Sequence, residues 1–185
     1  MDIKELEKNA ISIALEQIEE RGEAFPMFHL SCENNVMIML PALWSNDEQK
    51  LTMAAVVRLY AVRWKAQIIT LVTEAWFSEQ KSDSKQIRPI NDPNRKEVLI
   101  CITQARKGAI NASAGPLMRD PGGVSVGELK PLNYPTTDTF ADLFSEKVPE
   151  NYRKIIEAMP DHMFNKMIEA MGMKLEGIMS YPRAN

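Results

Sequence analysis

The sequence predicts an α+β fold: an antiparallel sheet of about five strands in the order α-ββ-α-βββ, helices on one face, and short C-terminal helices. Three observations carry that reading. Apolar residues recur at helical spacing near the N-terminus and again after Ser45. Short apolar runs rich in β-branched residues are separated by turn residues, two of them before and three after the second helical segment. After a stretch rich in Pro and Gly, the last quarter returns to helical spacing.

Residues 2–21 place Ile3, Leu6, Ala10, Ile13, Ala14 and Ile18 on one stripe, with acids opposite. Asp2 is an N-cap with Glu5 three residues later, and Gly22 is placed to end the helix. The runs FPMFHLSC and NVMIMLP flank Glu33, Asn34 and Asn35, a hairpin pattern. A second helix follows, capped by Ser45, Asn46 or Asp47. Leu51, Ala54, Ala55, Leu59 and Val62 are expected to form its core face. Met53, Val57, Tyr60 and Trp64 form a second apolar surface, so the helix is expected to be covered on two sides.

The strongest strands are AQIITLVTEAWF and EVLICITQA, followed by AINASAGPLMR after a turn at Lys107-Gly108. Gly115-Pro116 in the last suggests a bulge or an edge position. The organisation read from this order is an α+β core domain over 1–119, an extended connection over 120–137 and a helical segment over 138–185 packed on the core. Phe140, Leu143 and Phe144 mark one short helical piece, Ile155 and Ile156 a second, and Met163, Phe164, Met167, Ile168 and Met171 a third. Pro160 separates the last two, and Gly172 ends the final one.

With 45% hydrophobic and 25% charged residues, the chain of 185 residues has the composition of a soluble globular domain. Cys32 and Cys101 lie in apolar runs at no ligand spacing, so buried free thiols are expected, in keeping with a reducing compartment. No apolar run approaches the roughly 20 residues of a membrane span. The start MDIKELEKNA is charged from its second residue, unlike a signal peptide, and a cytoplasmic location is expected. The formal net charge of −3 hides a basic middle, +6 over residues 50–120. That middle would face nucleic acid or an anionic ligand, or else the acidic ends of this chain or of a second subunit.

The candidate site is the stretch from 71 to 103. Glu74 and Trp76 share a strand face with Ile68 and Val72, so the Glu74 carboxylate needs a partner or sits at a wet strand end. Arg95 is the candidate partner, and a catalytic or ligand-binding role for Glu74 stays open beside the ion pair. Residues 78–96 are too long for an ordinary hairpin loop. Their second half is stiffened by Pro89 and Pro93 and carries Arg88, Asp92 and Arg95 up to Glu97. Glu74, Asp92 and Glu97 are therefore the catalytic candidates, and Arg95, Trp76 and Arg88 the ligand-binding ones. Three carboxylates could hold Mg²⁺, but the Glu-x-Lys of many nucleases is missing, since Val98-Leu99 follow Glu97. No metal site is assigned.

Glu74-Ala75-Trp76 on a strand, followed by Asp92-Pro-x-Arg-x-Glu-Val-Leu99, resembles a family of small uncharacterised proteins of bacteria and their phages, over residues 50–120. The turn here reads INDPNRKE, where the family pattern more often has Ser and Pro-Asp. The resemblance implies no activity. It implies only that Glu74, Trp76, Asp92, Arg95 and Glu97 are worth testing together.

His29-x-x-Cys32 would point to opposite strand faces, which is poor for zinc, and His162 reads as a surface residue. No Gly-rich phosphate loop or nucleophile elbow is present, and no cofactor is expected. Twelve methionines, several of them in the C-terminal helix, suit core filling or a homodimer contact. The leading reading is a non-enzymatic module that associates with itself or with a protein partner. The alternative is a metal-dependent hydrolase or nuclease using Glu74, Asp92 and Glu97, which leaves enzymatic activity undecided. Nucleic-acid binding through the basic middle is a third reading, and none involves a membrane.

Overall fold

Asp2 starts the first helix as the sequence indicates: its Oδ1 accepts the Glu5 N–H at 2.8 Å, and α1 runs Ile3–Arg21. Gly22 closes it at φ 78°, where its N–H bonds to the Ile18 carbonyl. The structure is a computed structural model and describes residues 2–33, 36–42, 44–78, 93–108, 110–132, 140, 143–144, 148–172 and 179–182. The hairpin is β1 (Met27–Cys32) with β2 (Val36–Pro41), then α2 (Asp47–Arg63) capped by Asn46. The meander is β3 (Ala66–Phe77), β4 (Lys96–Ala105) and β5 (Ile110–Asp120). Within the stretch read as a connection lie β6 (Gly123–Val126) and β7 (Lys130–Pro131). The chain continues through α3 (Glu150–Ala158), α4 (Asp161–Ala170) and β8 (Met179–Pro182).

The fold is α+β with one antiparallel sheet, ordered β6-β5-β4-β3-β1-β2-β8, and β7 pairs with β5 beside β6. The sheet is larger than the sequence suggested, because three short strands join it through pairing alone. β6 folds back on β5 at Asp120-Pro-Gly-Gly123, with Gly123 at φ 136°, a conformation that favours glycine. β8 is too short for periodicity to show and adds to β2.

The helices cover both faces, not one. On β3, Ile69 and Leu71 pack with α2, Phe164 and Ile168, while Val72 packs with Ala10, Ala14 and Ile18 of α1. On β4, Ile100 and Ile102 take the first face, and Leu99 and Cys101 the second. The physical reason lies in these strands: both are apolar at consecutive positions, and such runs need cover on both sides. Ile3 and Ile13 are only half-buried, while Leu6, Ala10, Ala14 and Ile18 are buried. Each fully buried Leu or Ile here contributes about 2 kcal/mol.

α2 corrects the expected face. Met53, Ala54, Val56, Val57, Tyr60 and Ala61 are buried, whereas Leu51 is 61% exposed. Met53, Val57 and Tyr60 of the second stripe are buried because α2 is covered twice, by the sheet and by the C-terminal helices, while Trp64 at its end is 37% exposed. Tyr60 meets Phe164 edge-on at 5.1 Å. Arg63 donates to the Ile156 carbonyl at 3.1 Å and to Asp161 Oδ1 at 2.7 Å, which caps the end of α3 and holds the start of α4. Phe140 and Leu143 are buried turn residues, and the helix expected around them lies partly outside the described residues.

Gly115-Pro116 marks where β5 changes partner, from β7 at Ser113 and Ala114 to β6 from Leu117 onward. A Cβ at Gly115 would lie 2.6 Å from the Gly127 carbonyl oxygen. Gly115→Ala is therefore expected to cost about 2 kcal/mol. Urea denaturation checks this, and an unchanged midpoint would mean that the 127–129 segment yields freely.

Candidate functional site

Glu74 and Glu97 meet at one end of the sheet, on the face covered by α1. In register, Glu74 pairs with Leu99 and Trp76 with Glu97. Side chains two apart share a face, so Glu74 follows Val72 and Glu97 precedes Leu99 on the α1 side. Leu117 of β5 packs on the same side, and Arg119 lies two residues beyond it. The pleat thus delivers two carboxylates and a guanidinium to one corner, each just past the apolar part of its strand.

The guanidinium takes hold of both acids. Arg119 Nε donates to Glu97 Oε2 at 2.8 Å, and Nη2 donates to Glu97 Oε1 at 3.1 Å and to Glu74 Oε2 at 2.7 Å. Nη1 donates to the Gly22 carbonyl oxygen at the end of α1. Glu74 Oε1 accepts the Ala24 N–H at 2.7 Å. One corner thereby ties α1, the entry to β1, and strands β3 to β5. The hydrogen bond that Arg119 donates to Glu97 raises the Arg119 pKa above its ordinary value, helped by the charges of Glu74, Glu97 and Glu23. Side-chain exposures of 19% for Glu74 and 23% for Glu97, against 38% for Arg119, make this a half-sheltered cluster.

Arg95 is not the partner of Glu74. Phe77 pairs with Lys96, so Arg95 falls opposite Ser78, four residues along the strand from Glu74 and roughly 13 Å away at strand spacing. Its guanidinium lies instead over the Trp76 ring, 4.5 Å from the centroid. Arg88 and Asp92 lie outside the described residues. The structure brings Glu74, Glu97, Trp76 and Arg95 to one end of the sheet and adds Arg119, which the sequence reading missed. A signal was available: Leu117-x-Arg119 continues the buried alternation of β5 onto the same face.

Chemically, the corner is a closed charge network. A metal ion held by Glu74 and Glu97 would have to displace Arg119 from both. Among the described residues, no group of three His, Cys, Asp or Glu side chains is placed to hold a metal ion. His29 and Cys32 lie on opposite faces of β1, with Cys32 in the α2-side core. His162 is exposed at the start of α4. Cys32 and Cys101 are buried thiols, neither of them in a disulfide. Burial, and then the charge of Glu7, push the Cys101 thiol up to about 12, so it stays protonated and a poor nucleophile at neutral pH.

Behind this corner, the α1 face carries a buried polar row across three strands. His29 pairs in register with Thr70, and Thr70 with Thr103. The two hydroxyls hydrogen-bond at 3.0 Å. Among the described residues, no hydrogen bond or ion pair reaches the His29 imidazole, and burial lowers its pKa from 6.5 to about 4.

The class defined by this architecture is a sheet-centred α+β protein whose Glu74 and Glu97 are held by its own Arg119. No described helix is long and apolar enough to cross a membrane. Residues 4–160 match the family of Bacteriophage lambda protein ea47, and the chain belongs to that family. The match extends well beyond the 50–120 stretch that carries the bacterial and phage resemblance. No curated protein and no solved structure is significantly similar to the chain.

Proposed function

We propose that this protein is a non-enzymatic module that pairs with a second copy of its own chain through the outer face of α3 and α4. The carrying observation is an apolar face left in water: Tyr152, Ile155 and Met163 are 57%, 55% and 51% exposed. α3 spans nine residues and buries only Ile156, so it is too short to gain stability from its backbone alone. Half-buried Met159, Met167 and Met171 lie in the same helical pair and give the surface an adaptable lining.

Charge supports a like partner over an unlike one. Exposed Lys154 and Lys166 accompany exposed Glu157 and Glu169 on these helices. In an isologous pair each patch meets its own image, so a patch with both signs can neutralise itself. The sheet edges are weaker candidates, since β6 and β8 have four residues each and carry Gly or Pro.

Sedimentation of the full chain tests the reading. The wild type is expected to sediment as a dimer at micromolar concentration, and Tyr152→Ser with Ile155→Ser as a monomer that keeps its circular dichroism. A wild type that stays monomeric, or a folded double variant that stays dimeric, overturns the proposal.

A further inference from the structure

A second site lies on the opposite side of α3. Arg58 of α2, Arg106 and Lys107 of the β4–β5 turn, and Arg153 of α3 surround one cavity of about 390 Å³. Glu150 and Glu157 also reach it, which leaves the described lining at two positive charges. Its floor is apolar, with Val62, Leu143 and Phe144. A volume of this size lies within the usual range of small-ligand sites, and an apolar floor with a few converging polar groups is their usual build.

Two of the bases, Arg106 and Arg153, are held in place before any ligand arrives. Arg106 Nε donates to the Ala66 carbonyl at 2.9 Å and Nη2 to the Ala61 carbonyl at 3.4 Å, with the guanidinium 5.8 Å from the Phe144 ring centre. Arg153 Nε donates to the Val148 carbonyl at 2.8 Å. Among the described residues, no hydrogen bond or ion pair engages the two terminal nitrogens of Arg153 or the Lys107 ammonium. Anchored guanidiniums lose less freedom on binding, and their forked donors match a phosphate.

We infer that this cavity binds a small phosphomonoester carried on an aromatic body, the chemistry of a nucleoside monophosphate. A phosphomonoester carries about −1.5 to −2 charges near pH 7, which matches the net charge of the lining. Phe144 and the apolar floor take the ring. Single-stranded nucleic acid fits less well, because it needs a basic groove that continues past one cavity. The site does not depend on the self-association reading. Glu150, Arg153 and Glu157 form one stripe of α3, and Tyr152 and Ile155 form another.

Thermal unfolding of the full chain with adenosine monophosphate, inorganic phosphate, adenosine or a ten-nucleotide DNA strand tests the assignment. A ligand of the folded state raises Tm by mass action. Adenosine monophosphate at millimolar concentration is expected to raise Tm by several degrees, inorganic phosphate less, and adenosine little. Arg153→Ala and Lys107→Ala, both at exposed or half-exposed positions, are each expected to weaken the monophosphate about tenfold. The assignment fails if the monophosphate gives no shift, or gives the same shift in both variants. Equal shifts from phosphate and monophosphate would remove the aromatic body from it. Tighter, steeply salt-dependent binding of the DNA strand would replace it with a nucleic-acid site.

Discussion

Arg119→Ala is expected to cost about 2–3 kcal/mol of folding stability, a fall in Tm of roughly 5–10 °C for a chain of this length. Three losses combine. Glu74 and Glu97 lose the guanidinium that bonds to both, and they remain close enough to repel. The Gly22 carbonyl at the negative end of α1 loses its cation. The junction of α1 with β3, β4 and β5 loses its shared tie. Removing one partner from a fully buried pair costs about 3–5 kcal/mol, and the exposure of this cluster lowers that figure.

Arg119→Lys separates charge from geometry. A single ammonium cannot reproduce a fork that spans two carboxylates and a carbonyl, so it is expected to restore less than half of the loss. Combining Glu74→Gln and Glu97→Gln with Arg119→Ala removes the repulsion and should recover part of it. Urea denaturation at pH 7 reads all of these variants. An Arg119→Ala protein within 0.5 kcal/mol of wild type would show that the corner is an ordinary solvated ion pair.

The same corner shows what the sequence could and could not convey. Local rules sufficed for α1, where Asp2 and Gly22 cap the helix, and for β3 and β4, whose apolar runs are long. They also put Glu74 and Trp76 on one face, because strand alternation is local. The partner of Glu74 is not local: it depends on the pairing of β4 with β5. In that pairing Val98 meets Pro116, which sets Leu117 level with Glu97 and Arg119 two residues beyond it, diagonal to Glu97, only once the register is known. Arg95 was nearer in sequence, but its guanidinium lies over the Trp76 ring instead.

Helices on both faces have a similar explanation. The consecutive apolar residues of β3 and β4 imply cover on each side, yet nothing in α1 itself states which side it takes. β6, β7 and β8 are fixed by hydrogen bonds to strands already in place, so their own residues carry little strand signal. The cationic cavity joins Arg58, Arg106 and Arg153 from three parts of the chain. The net charge of the middle segment hinted at an anion, but only packing of α3 against α2 brings these side chains around one space.

Stability is expected to fall by about 3 kcal/mol through His29 alone as the pH drops from 7 to 4. The buried imidazole has a folded-state pKa of about 4 against 6.5 unfolded, so between those values the unfolded chain binds the proton more readily. The contribution is complete above pH 6.5, declines through the window, and is spent below about pH 4. A difference of about 2.5 units corresponds to roughly 3 kcal/mol. Register places Met39 on one side of His29 and Thr70 on the other, and neither can stabilise an imidazolium as a carboxylate would. Acid also changes the charge of the chain as a whole, so the wild-type profile alone cannot isolate the histidine. His29→Gln supplies the reference, since it keeps a polar side chain there and does not titrate. Denaturation of both proteins at pH 7, 6, 5 and 4 should show the wild type losing about 3 kcal/mol more than the variant. Parallel profiles, or a His29 ring proton that titrates near 6.5 by NMR, would mean that water or a charge reaches the imidazole and that the α1 face of the sheet is open at β1.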